Sequence, residues 1–83
     1  MLTPRQTVET YFLEARHMLL EVAALLDRHD AAVARTGAAR NGAAGDAAAA
    51  EKLAVLREAL ALLAAERCDG ERTVKLLDLF ARV

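Results

Sequence analysis

The most constraining feature of the chain is a long stretch without helix breakers. Between Pro4 and Gly37 the sequence has neither glycine nor proline. Thr3 and Gln6 have the spacing of a capping box, and Pro4 suits the first position of a helix. The sequence therefore predicts one uninterrupted helix over about 3–36, which at ~1.5 Å per residue would be about 50 Å long.

The composition also favours helices. Of 83 residues, 20 are Ala and 14 are Leu, whereas aromatic residues make up only 4%. Ala and Leu lead the scale of helix propensity, while strands prefer β-branched and aromatic side chains. We therefore expect an all-α protein.

Glycines divide the rest of the chain. Three of the four lie within 37–45, a stretch with no large apolar residue, which predicts a flexible linker. Asp46 is a good N-cap for a second helix over about 46–67, and Asp69 can cap a third over about 70–81. The expected fold is a single domain, 1–83: an antiparallel helical hairpin plus a short third helix, packed as a dimeric helical bundle.

The first helix presents two apolar surfaces when its residues are placed at 100° intervals. We call the broader one the main face; it consists of Val8, Tyr11, Phe12, Ala15, Met18, Leu19, Val22, Leu25, Leu26 and Val33. The narrower one, the second stripe, consists of Leu13, Leu20, Ala24 and Ala31. One partner helix cannot cover both, so we expect the second stripe to be a homodimer interface. The alternative is that the third helix covers it in a monomer.

In the second helix, leucines recur at 3-4-3 spacing from Leu53 to Leu63, and Val55, Ala59 and Leu62 widen this seam. The expected core takes the large apolar residues nearest the centre of each helix's face. They are Phe12, Leu19, Val22, Leu26, Leu56, Leu60, Leu63 and Phe80.

One charged strip of the first helix has the residue types of a metal site. Glu14, His17 and Glu21 lie at i, i+3 and i+7, and helical-bundle di-iron sites use Glu-x-x-His motifs. A dimer could add Glu51 or Glu58 from the second helix. The simpler interpretation is a solvated strip, because it borders the main face rather than lying at its centre. No cofactor or metal is therefore expected.

His29 and Asp30 interrupt the main face near its C-terminal end. Three explanations are open: the helix extends beyond the core and these side chains reach water, Asp30 or Asp27 forms a buried salt bridge with a base such as Arg16 or Arg72, or the cluster contacts a ligand. Cys68 lacks a neighbouring base, so we expect an inert thiol.

Several classes of protein are excluded or disfavoured. A net charge of -1 gives no electrostatic case for binding nucleic acid or an anionic membrane. One cysteine permits neither an internal disulfide nor a multi-thiolate zinc site. The N-terminal residues lack the apolar segment of a signal peptide, and the longest apolar run, Ala59–Ala65, is too short to span a bilayer. The expected location is the cytoplasm.

The run from Tyr11 to Arg28, the segment Leu56–Leu63 and the Lys75-Leu76-Leu77 stretch resemble a group of small bacterial all-helical proteins. Some of these are named for TatD-type hydrolases. The resemblance implies an association with such enzymes rather than their chemistry, because metal-dependent β/α barrels need several times this length. It assigns no functional residue here.

These features predict a non-enzymatic helical module for assembly or protein interaction, acting as a homodimer. The main alternative is a dimeric bundle with a metal site on Glu14, His17 and Glu21. A further alternative is a regulatory domain whose partner is a helix of another protein.

Overall fold

A computed structural model describes residues 1–36 and 44–83. Over these ranges the chain is all-helical, with three helices and no strand: α1 (Pro4–Thr36), α2 (Ala44–Ala64) and α3 (Arg72–Phe80). This confirms the predicted all-α class. Of the linker predicted over 37–45, residues 37–43 lie outside the described residues. The prediction is wrong for Ala44 and Gly45, which belong to α2.

The chain divides into two compact units, Met1–Ala39 and Arg40–Val83. The first contains α1, and the second contains α2 and α3. In the second unit, α2 and α3 pack against each other.

The start of α1 confirms the predicted capping box. The backbone N–H of Thr3 donates to Oε1 of Gln6 at 3.0 Å, and the backbone N–H of Gln6 donates to Oγ1 of Thr3 at 3.1 Å. The backbone N–H of Thr7 donates to the Thr3 carbonyl at 2.9 Å. Two amide groups that would lack helical partners are therefore satisfied by side chains.

The other two helices differ from the predicted boundaries. Since α2 begins at Ala44, Asp46 lies within its first turn instead of preceding the helix. The predicted cap Asp69 is wrong: the N-cap of α3 is Glu71, with no side-chain capping bond. The reason is the turn at Gly70, whose φ of 90° lies in the left-handed region, so the chain needs a further residue before helical geometry resumes.

Arg72 ties the start of α3 to the end of α2. Its Nη2 donates to the carbonyl of Ala65, just past the last residue of α2, at 2.5 Å. Carbonyls at a helix C-terminus lack helical partners, and a guanidinium is a favourable donor there. This bond helps to explain why α2 ends at Ala64, before the predicted end at residue 67.

The expected core is only partly correct. Among the described residues, the buried apolar side chains are Val55 and Ala59, which lie one turn apart on α2. They belong to the border of the leucine seam rather than its centre. Val and Ala side chains are shorter than leucine, so a contact that covers them completely can leave part of a neighbouring leucine accessible.

The predicted core residues fall into two groups. Val22, Leu26, Leu56 and Leu60 are half-buried. Phe12, Leu19, Leu63 and Phe80 are exposed, so the prediction that they form the core is wrong for the single chain.

Candidate interaction surface

The second stripe of α1 is largely accessible in the single chain. Leu13 is 72% exposed and Leu20 is 55% exposed. Ala31 is also exposed, and Ala24 is half-buried. Because α1 is an unbroken helix, these four residues share one side of it along about 27 Å. The structure thus contains the stripe that the spacing predicted, with its two leucines in contact with solvent.

The main face of α1 is accessible as well. No residue of α1 is buried. The exposed large apolar side chains of the main face are Val8, Tyr11, Phe12, Met18, Leu19 and Leu25, at 42–63% exposure. Contiguous apolar surface of this kind on a small protein usually marks an interaction site.

The candidate metal ligands lie in solvent. Nε2 of His17 is 3.8 Å from Oε1 of Glu21, and the two side chains are 75% and 71% exposed. Within the described ranges, no group of three or more His, Cys, Asp or Glu side chains could hold a metal ion. A site on Glu14, His17 and Glu21 would therefore need ligands from a second subunit.

The cluster near the end of α1 is also solvated. Nδ1 of His29 is 3.5 Å from Oδ1 of Asp30, with the side chains 44% and 72% exposed. Of the three explanations, contact with water agrees with this exposure. Arg72, one of the bases considered for a salt bridge, donates to the Ala65 carbonyl within the second unit.

Among the described residues of the second unit, one ion pair joins side chains that no local spacing indicated. Arg82 donates through Nη2 to Oε2 of Glu58, which lies 24 residues earlier in the sequence. Both residues border a shallow, open groove of about 510 Å³ between α2 and α3, whose other walls include Leu62, Lys75 and Asp78. Its lining carries both signs of charge, from Glu58 and Asp78 and from Lys75 and Arg82. Because the groove is also open, it has neither the enclosure nor the single charge sign of a small-molecule anion or cation site.

Cys68 is half-buried in the segment between α2 and α3. The described helices include none with both the length and the apolar content to cross a bilayer.

Comparison with protein-family models, with curated proteins and with solved structures gives no match.

Proposed function

We propose that this protein is a non-enzymatic helical assembly module, located in the cytoplasm, that forms a homodimer through the second stripe of α1. The observation that supports this proposal is the exposure of Leu13 and Leu20 in helical register on a helix with no buried residue. Transfer of such side chains from water to an apolar contact stabilises an assembly by roughly 25 cal/mol per Å².

The size of the chain supports the same proposal. A domain of this length buries a modest fraction of its surface on folding, about 60–65%, and oligomerisation is a common way to bury more. A two-fold axis lets one stripe cover its own copy, so a single apolar surface suffices for both subunits. A bacterial helical module of this kind would act by bringing chains together, with no reaction of its own.

Gel filtration coupled to light scattering tests the proposal. The wild-type protein is expected to be a dimer, and Leu20→Glu is expected to be a helical monomer because the new carboxylate would be desolvated at the interface. Leu19→Glu is the matched control, since Leu19 has nearly the same exposure, 59%, but lies on the main face. We expect it to remain dimeric.

Other outcomes would contradict the proposal. A wild-type monomer at high protein concentration would exclude the dimer. Dissociation by Leu19→Glu together with a dimeric Leu20→Glu variant would move the interface to the main face. Circular dichroism on each variant distinguishes a folded monomer from a chain that has lost its helices.

Metal analysis distinguishes the proposal from the metal-site alternative. Protein purified without chelator is expected to keep its dimeric mass after treatment with EDTA. Stoichiometric iron, manganese or zinc that disappears in His17→Ala would instead support a site on Glu14, His17 and Glu21.

A further inference from the structure

The second stripe is part of a longer seam with a specific order of residue types. Positions spaced three and four apart along this side of α1 form the seam, as in a helix that pairs with another helix. The seam residues are Leu13, His17, Leu20, Ala24, Asp27 and Ala31. The large apolar residues lie in its N-terminal half and the small ones in its C-terminal half, so the seam is asymmetric along the helix.

An antiparallel copy of α1 makes this asymmetry complementary. With the two-fold axis beside residue 22, Leu13 lies opposite Ala31 of the partner subunit and Leu20 lies opposite Ala24 of the partner subunit. Each leucine then meets an alanine, so the seam fills evenly and the helices can approach closely. Because α1 is continuous from Pro4 to Thr36, all of these layers lie within one helix.

The polar seam residues match in the same register. His17 lies opposite Asp27 of the partner subunit, where its imidazole N–H can donate to the carboxylate. In an antiparallel pair related by a two-fold axis, each flank of the helix faces the same flank of the partner helix. Arg16 and Asp27 lie on one flank, so Arg16 comes beside the Asp27 carboxylate of the partner subunit. Within the part of the chain that the structure describes, neither Arg16 nor Asp27 has an ion-pair partner. The two-fold axis forms each of these contacts twice.

Other arrangements lose this complementarity. A parallel, in-register pair places Asp27 against its own copy and also pairs leucine with leucine and alanine with alanine. Like charges across such an interface are unfavourable, and uneven layers leave voids. An antiparallel pair shifted by seven residues, with its axis near residue 18, brings His17 against Leu20 of the partner subunit, which removes the acceptor from the imidazole.

We infer that the partner of the second stripe is a second copy of α1 in antiparallel orientation, with leucines packed on alanines and Arg16 paired with Asp27 of the partner subunit. This inference rests on the proposed dimer but adds its orientation and register. The two can therefore fail separately.

Dipolar electron paramagnetic resonance tests the orientation in the full chain, with Cys68→Ser removing the native thiol. In the antiparallel dimer, spin labels on Glu9→Cys are expected to lie about 40 Å apart, given ~1.5 Å of rise per residue and ~10 Å between axes. Labels on Ala23→Cys, beside the two-fold axis, are expected to lie within about 15 Å.

Short distances at both positions would show a parallel dimer and overturn the inference while leaving the proposed function intact. Long distances at residue 23 would also overturn it. A monomeric wild-type protein would remove both the proposed function and this inference.

Charge reversal tests the register. Arg16→Glu and Asp27→Arg are each expected to raise the dimer dissociation constant about tenfold at low salt, because two exposed pairs become repulsive. The double variant is expected to return to within about threefold of wild type. Arg57→Glu, on α2, is the control for net charge and is expected to change little. If the double variant has a dissociation constant as high as those of the single variants, Arg16 and Asp27 are not paired across the interface.

Discussion

The two units of the chain differ in how their helices are stabilised. Among the described residues, the hydrogen bonds that α1 makes beyond its helix backbone are local, such as the Thr3–Gln6 capping box and the bond from Thr36 Oγ1 to the Ala32 carbonyl at 2.7 Å. In the second unit, Arg72 and Arg82 connect segments that are distant in sequence, and α2 contains buried residues.

This difference has a physical consequence. Local bonds favour a helix without determining what it packs against, since most helical stability in proteins comes from the burial of an apolar face. The second unit obtains part of that burial within its own chain, whereas most of the leucines of α1, namely Leu13, Leu19, Leu20 and Leu25, are exposed. The dimer proposed above would give α1 this burial by association, whereas Val55 and Ala59 of α2 are already buried in the single chain.

A charge introduced at a buried position of α2 is expected to have the largest effect on stability, and the effect should be confined to the second unit. Val55 is 4% exposed, so Val55→Asp would place an unpaired carboxylate among apolar side chains, at a cost on the order of 3 kcal/mol. We expect the amides of α2 and α3 to lose hydrogen-exchange protection. Ala54→Asp is the control, because it introduces the same carboxylate at an exposed neighbouring position. Its cost in helix propensity is the larger of the two, since Ala is the best helix former and Val ranks close to Asp, so a greater loss in Val55→Asp reports burial. Equal losses in both variants would show that Val55 is not part of a core.

Truncation of one large apolar residue in each unit sharpens the contrast. Leu60 is half-buried and Phe12 is 57% exposed. Leu60→Ala is expected to lower the free energy of unfolding by about 1–2 kcal/mol, below the usual range for a fully buried leucine. Phe12→Ala should cost less than half as much, measured by urea denaturation at a protein concentration below that of dimer formation. A larger loss for Phe12→Ala would mean that the main face of α1 is packed in the monomer.

The elements that the sequence predicted well are those specified by neighbouring residues. The capping box of α1 follows from Thr3 and Gln6, and the unbroken helix follows from the absence of Gly and Pro up to Thr36. Such features are determined by residues a few positions apart, so they can be predicted from the sequence of a single chain.

The elements that were missed depend on where segments meet. Leucine spacing indicates an apolar face but not which part of it a short helix covers, so the buried positions proved to be Val55 and Ala59. The cap of α3 depends on the backbone angles of Gly70, and the partner of Arg82 is distant in sequence. The candidate interface on Leu13 and Leu20 could be predicted as a stripe, whereas its occupant depends on another surface.

Removal of the capping box tests how far α1 depends on local bonds. Thr3→Ala leaves the Gln6 amide without its side-chain acceptor, which costs about 1 kcal/mol. We expect amides in the first turn of α1 to exchange about fivefold faster, with no change in α2 or α3. Thr10→Ala is the control, since it removes a hydroxyl from the same helix beyond its first turn. If Thr3→Ala leaves exchange unchanged, packing rather than capping fixes the start of α1.

The smallest effect is expected for the ion pair between Glu58 and Arg82. Their side chains are 55% and 57% exposed, and exposed pairs typically contribute about 0.5 kcal/mol. A double-mutant cycle of Glu58→Gln and Arg82→Gln should give a coupling energy of that size at low salt, and about 1 M salt should remove most of it. Arg57→Gln in place of Arg82→Gln provides a control cycle with no expected coupling. A coupling energy above about 2 kcal/mol would require a pair largely shielded from water. The second unit would then owe its stability to this contact between its C-terminal residues and α2 as much as to the burial of Val55 and Ala59.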